Sequence, residues 1–326
     1  MVALGTAISA FWILSANSWM QAPTGYRVAE DGVLHVVDWW QVIFNPTFPY
    51  RFAHMVAAAY LTTACMVGGI GAWYVLRERS VPEGRIMLGM GLSLLVWLAP
   101  LQLVIGDIHG LNTREYQPAK IAALEAHWDT EKGAPLILFA LPDPQAETNH
   151  YELAVPRLGS LILTHEWDGE IRGLKSFPPE DRPNPIIPFF AFRVMVGIGL
   201  ILIALGLTGA VLWWRGRLYA SRWFLQAMVL AAPLGFIAVL AGWFTAEVGR
   251  QPLGSLWRIA HRRCRLAGAG RQRARLARAV RPRLWHRVRR RAVLHRQARA
   301  PRPRPDPANA RGRRGQSLAA PDGGGR

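Results

Sequence analysis

An all-α fold, a polytopic transmembrane helical bundle, is what the first 252 residues predict, and three observations carry it. Five apolar runs, at residues 3–20, 52–76, 86–105, 186–214 and 223–246, approach or exceed the length of about 20 residues that crosses a hydrocarbon core. The two short connections are rich in arginine: Arg77, Arg79 and Arg85 follow the second run, and Arg215, Arg217 and Arg222 follow the fourth. Past Pro252 the composition changes, because residues 253–326 hold 22 Arg, no Lys and two acids, Asp306 and Asp322. That tail carries +20, while in the rest 17 basic groups face 19 acidic ones, so the overall charge of +18 describes the tail and not the bundle.

The first run begins almost at Met1 without a basic leader and holds Trp12, Asn17 and Trp19, which suits a helix joined in mid-protein and not a signal peptide. The arginine-rich connections are expected on the cytoplasmic side. By alternation, residues 21–51, with Arg27 beside Glu30 and Asp31, face outward, as does the long segment 107–184. The expected organisation is therefore helices one to three in 1–106, an extracytoplasmic segment in 107–184, helices four and five in 185–252, and the tail in 253–326. Within the outer segment, residues 118–130 (PAKIAALEAHWDT) read as a short helix started by Pro118. The remainder alternates short apolar stretches with Pro and Gly and is expected to pack on the outer membrane face. Cys65 and Cys264 are the only cysteines, which leaves no disulfide framework to build from.

The tail reads best as out-of-frame sequence, expected to be disordered. A basic arm usually mixes Lys with Arg, and an Arg/Ala/Pro/Gly string without Lys is what a GC-rich gene gives when its frame is lost. Codons for residues 253–267 shifted by one base can give WVVYG, and residues 278–297 can give an apolar run long enough to span a bilayer of about 20 residues. The alternative is a membrane-anchored polybasic protein that binds anionic lipid or nucleic acid, with an affinity falling steeply with salt.

Candidate chemistry lies in the ionisable and sulfur side chains at membrane depth. His54 sits near the outward end of the second helix, as a haem ligand or as a histidine bonded to a neighbouring helix. Met195, two turns into the fourth helix, starts from the same side and so meets the height of His54. A thioether opposite an imidazole makes a six-coordinate, low-spin haem suited to electron transfer, whereas most methionines in such helices only pack. Arg193 faces either a haem propionate or lipid phosphate. Glu247 and Arg250 close the fifth helix, and the carboxylate there serves an iron, carries a proton, or pairs with Arg250. Lys120 and Glu125 offer a cation and a base near the membrane surface. They lie about 140° apart on a regular helix, so a solvated charged face is the competing reading.

RFAHMVAAAY, KIAALEAHW, FAFRVMVG and GWFTAEVGRQP, in this order and spacing, resemble subunit I of the cytochrome bd quinol oxidases, and FWILSANSWMQAP resembles that family's fourth membrane helix. The likeness covers nearly all of residues 1–252, and WVVYG would continue its GRQPW motif. By this resemblance His54 and Met195 are the axial ligands of a low-spin haem b, and Glu247 binds the iron of a high-spin haem b. Lys120 and Glu125 assist quinol oxidation in the outer segment, called the Q-loop, and Arg193, Trp243 and Arg250 support the haems. The short Q-loop is similar to that of the cyanide-insensitive branch. The resemblance also implies haem d or a third haem b at the oxygen site, quinol and oxygen as substrates, a second subunit as partner, and a multi-pass place in the bacterial inner membrane with the Q-loop outside. No nucleic acid is expected. Family members have about nine helices in this subunit, so the chain is expected to be truncated at both ends and to lack the oxygen site. A membrane b-type cytochrome without oxygen chemistry is the remaining alternative.

Overall fold

The structure, a computed structural model, describes residues 1–29 and 33–251. The expected frameshifted tail and its WVVYG continuation lie outside the described residues. Five helical segments are long and apolar enough to cross a membrane, as the sequence predicts. They are α1 (Val2–Gln21), α3 (Phe48–Leu76), α4 (Val81–Tyr116), α7 (Ile186–Trp214), and a fifth span built from α8 (Arg222–Ala231) and α9 (Leu234–Val248). Between α1 and α3 stand an antiparallel pair, β1 (Tyr26–Val28) with β2 (Leu34–Val36), and the short α2 (Trp39–Ile43). The segment after α4 holds α5 (Pro118–Glu125), β3 (Glu131–Lys132), β4 (Leu136–Asp143), β5 (Thr148–Val155), α6 (Leu158–Thr164) and β6 (Glu170–Ile171).

Small residues set how closely the helices approach. A Cβ on Gly91 of α4 would lie 2.6 Å from the Ala64 carbonyl oxygen and 2.7 Å from Cα of Gly68, so α3 and α4 touch backbone to backbone. Helices in lipid gain little from hiding apolar surface and associate through such close packing. Leu88, Leu92, Phe224 and Met228 fill the space between α3, α4 and α8 and are almost wholly buried. Large apolar side chains such as Trp97, Leu200 and Leu230 remain exposed on the outside of the spans, where lipid is the solvent.

Four element boundaries differ from the sequence reading. The third span runs through Pro100 and stays helical to Tyr116, because its polar outer turns pack against α5 and α6. Helix α5 ends at Glu125 instead of continuing to residue 130, since Ala126 takes a left-handed conformation (φ 54°) that turns the chain. The fifth span breaks at Pro233, which lacks the N–H needed to continue α8. His54 lies two turns into α3, which starts at Phe48.

The segment between α4 and α7 is folded, and its cores seat it on α7. Ile121, Leu124, Leu163 and Ile171 pack with Phe192, while Ile137 and Ala140 of β4 pack with Phe189 and Phe190. The β4–β5 hairpin is closed by Asp143, whose carboxylate accepts from the N–H groups of Gln145 and Ala146 at 2.8 and 3.0 Å.

Candidate functional site

Helix α5 is short, and every residue from Ala119 to Glu125 is buried, the two charged ones included. Lys120 is 5 % exposed and Glu125 is 4 % exposed, so the solvated-face reading of this helix is corrected. The side chains leave the helix in different directions, as their spacing requires, and each is met by a different membrane helix.

Lys120 Nζ donates to Oε1 of Gln21 at the end of α1 (3.2 Å) and to the carbonyl oxygen of Ala246 in α9 (3.1 Å). Arg51 of α3 donates to the same Gln21 oxygen and, at 3.4 Å, to Oδ1 of Asn17. Asn17 Nδ2 in turn donates to Oε1 of Glu247 at 2.9 Å, and Glu247 pairs through its other oxygen with Arg250. One connected set of polar groups thus ties α1, α3, α5 and α9 together. Burial pushes the Lys120 amino group well below the usual lysine value, Arg51 and Arg250 push the same way, and Glu247 opposes them. A lysine so placed gives up its proton more readily than an exposed ammonium does.

Glu125 is held by Arg193 of α7. The guanidinium donates to Glu125 Oε2 at 2.7 Å, to the Leu124 carbonyl at 2.5 Å and to the Ile137 carbonyl at 2.6 and 3.0 Å, and it lies 4.0 Å above the Phe189 ring. The sequence reading placed Arg193 beside a haem propionate or lipid phosphate. In the structure its donors are taken up by the outer segment, which it clamps to α7.

His54 and Met195 occupy opposite members of a ring of four helices, since α4 and α9 each pack against both α3 and α7. Both side chains face glycine: a Cβ on Gly106 of α4 would lie 3.4 Å from Cε1 of His54, and one on Gly242 of α9 would lie 3.1 Å from Sδ of Met195. The His54 ring also stands 5.4 Å from that of His109, centroid to centroid, and its Nδ1 is buried without a hydrogen-bond partner. An imidazole nitrogen orphaned among the described residues and a thioether, each with the nearby backbone cut back to glycine, are the ligand types that could hold a haem iron. Trp243 is half-buried on α9, one turn before Glu247. Both Glu247 oxygens are already engaged within the chain, so ligating an iron would require one of those bonds to be exchanged.

Sequence reasoning missed Arg51, Gln21 and Asn17, although RFAH and SANSWMQ carry them within strings already singled out. It also missed His109 and His127. His127 is 3 % exposed. Burial lowers its pKa while Glu125 and Glu131 raise it.

Fold and site together define a multi-pass helical membrane protein with a folded segment between α4 and α7 clamped over buried ionisable side chains. The description "Cytochrome bd terminal oxidase subunit I" belongs to the family whose model matches residues 1–260. Subunit 1 of the cytochrome bd-II ubiquinol oxidase of Escherichia coli (strain K12) is 30 % identical over 321 residues, covering 77 % of this chain and 62 % of its own. Subunit 1 of the cytochrome bd ubiquinol oxidase of Bacillus subtilis (strain 168) is 32 % identical over 268 residues, covering 77 % and 56 %. The structure of bd oxidase from Geobacillus thermodenitrificans superimposes with a TM-score of 0.71 at 29 % identity, over 88 % of this chain and 68 % of that one. The chain belongs to the cytochrome bd terminal oxidase subunit I family. It spans about three fifths of the length of the curated relatives it matches.

Proposed function

We propose that this chain is the quinol-oxidising part of a respiratory quinol:oxygen oxidoreductase in the bacterial inner membrane. The observation that carries the reading is the burial of Lys120 and Glu125 on one short helix, each gripped by a different membrane helix. A quinol hydroxyl reaching this helix meets an amine whose charge is disfavoured by burial and a carboxylate paired with the Arg193 guanidinium. Lys120 and Glu125 take the hydroxyl protons, and the cover formed by the Q-loop limits access of bulk water. His54 and Met195 would hold the low-spin haem b, which supplies one-electron redox chemistry when bound. Glu247 is assigned to the second haem b, with Arg250 and Trp243 beside it, and Arg193 is assigned to Glu125 instead of to a propionate. Haem d or a third haem b at the oxygen site, oxygen itself and subunit II complete the assembly by family likeness. The relatives' names, two ubiquinol oxidases and one menaquinol oxidase, point to a quinol as the substrate class. The connections bearing Arg77 and Arg215 face the cytoplasm, and the Q-loop faces outward.

The test is made on haem-loaded protein in membranes. His54→Ala and Met195→Leu are expected to abolish the dithionite-reduced low-spin haem b spectrum. Lys120→Met and Glu125→Gln should keep that spectrum and slow haem reduction by quinol by about a hundredfold or more. An unchanged spectrum in the first pair removes the ligand assignment, and an unchanged rate in the second removes the quinol site.

A further inference from the structure

If Glu125 takes a proton from quinol, that proton must leave a residue that is 4 % exposed and held by Arg193. His127, two residues on in the chain, is paired with a carboxylate that reaches solvent. Its side chain is 3 % exposed, and Nδ1 lies 3.6 Å from Oε1 of Glu131, whose side chain is 47 % exposed. Its other nitrogen, Nε2, is buried and has no hydrogen-bond partner among the described residues. A histidine kept for structure satisfies a buried nitrogen. This one has one nitrogen beside a carboxylate that reaches water and the other buried and unpaired among the described residues.

The backbone fixes that placement. The left-handed Ala126 ends α5, the His127 N–H donates to the Ala122 carbonyl at 3.0 Å, and the His127 carbonyl accepts from the N–H of Leu174 at 2.8 Å. Charged groups face the ring from every packed element: Glu125 from α5, Glu131 from β3, Glu152 from β5 and Arg193 from α7. Burial outweighs the three carboxylates and lowers the pKa of His127, so the imidazole rests neutral with one nitrogen open to accept a proton and passes it on readily.

We propose that His127 is the proton outlet of the quinol site, passing protons from Glu125 to the solvent-facing carboxylate of Glu131. This inference rests on the quinol-oxidising reading above. In the step, the O–H bond of protonated Glu125 breaks and an N–H bond forms at Nε2. The Nδ1–H bond then breaks, directly or through one bridging water across the 3.6 Å gap, and an O–H bond forms on Glu131, which releases the proton to water. The ring, left with its proton on Nε2, returns to the Nδ1–H tautomer by proton exchange through water before the next turnover. No electrons move in this step.

The experiment follows proton release with a pH-indicator dye during a single turnover of quinol oxidation, on haem-loaded protein with the dithionite spectrum as control. His127→Gln should slow proton release and quinol-driven haem reduction by about tenfold or more, with the Kd of an unreactive quinone analogue unchanged and the rate restored by added imidazole. Glu131→Gln, at a half-exposed position, should slow release several-fold. A wild-type rate in His127→Gln, or a loss that imidazole does not restore, overturns the proposal. If His127→Gln does not assemble, Glu131→Gln decides, and a wild-type rate there also overturns it. Glu125→Gln separates the two levels: a wild-type rate in that variant sinks the quinol reading itself, whereas a slow Glu125→Gln beside a normal His127→Gln sinks only the outlet.

Discussion

Replacing Arg193 by methionine removes the clamp between the Q-loop and α7 while keeping most of the side chain's volume. In the structure the guanidinium is 18 % exposed and its partner Glu125 5 %, at 2.7 Å, and the carbonyls of Leu124 and Ile137 depend on the same group. Stranding a buried carboxylate by deleting one member of its pair costs about 3–5 kcal/mol. Most of this should appear as local opening, because the pair joins the loop to the bundle and lies outside the cores of either. At 3 kcal/mol the backbone amides of β4 are expected to exchange with deuterium on the order of a hundredfold faster, with the amides inside α3 and α4 unchanged. Glu125→Gln in the same chain removes the stranded charge and should recover about 2 kcal/mol, which makes the pair a double-mutant cycle read by exchange of residues 136–143. Unchanged exchange in Arg193→Met, or a double variant that is no slower to open than the single one, would refute the argument that this pair holds the loop down.

Lys120 gives a pH signature. Its pKa in the fold is well below the ordinary 10.5, so from that lowered value up to about 10.5 the unfolded chain binds more protons, and the fold gains stability as pH rises through that window. Lys120→Met should flatten the rise of Tm as pH climbs toward about 10.5, measured in detergent, and an equally steep rise in the variant would assign the effect elsewhere. Gly91→Val should force α3 and α4 apart, because even a Cβ there would lie 2.6 Å from the Ala64 carbonyl oxygen. The expected result is loss of assembled protein in the membrane, with Gly89→Val, where a Cβ meets nothing within 4 Å, as the tolerated control. Gly242→Ala should move the midpoint potential of the low-spin haem by crowding Met195, whose sulfur would lie 3.1 Å from the new carbon. An unchanged potential would mean that Met195 is not the axial ligand.

The sequence by itself determined the five spans, because twenty apolar residues in a row leave a backbone no better solution in lipid than a helix. It also marked the residues around which the site is built, through strings such as RFAH and KIAALEAHW that join ionisable groups to apolar faces. Helix ends were less legible. The reach of α4 to Tyr116 depends on packing against α5 and α6, and the stop of α5 depends on one left-handed alanine with no glycine to announce it. Only the tertiary structure decided the partners. That Arg193 holds Glu125, that Gln21 receives both Lys120 and Arg51, and that Asn17 reaches Glu247 across 230 positions are facts of distance in space. Hydropathy reports how each residue prefers to be solvated, whereas the partner of a buried charge is fixed by which helices lie side by side, and that is settled by the packing of the whole bundle.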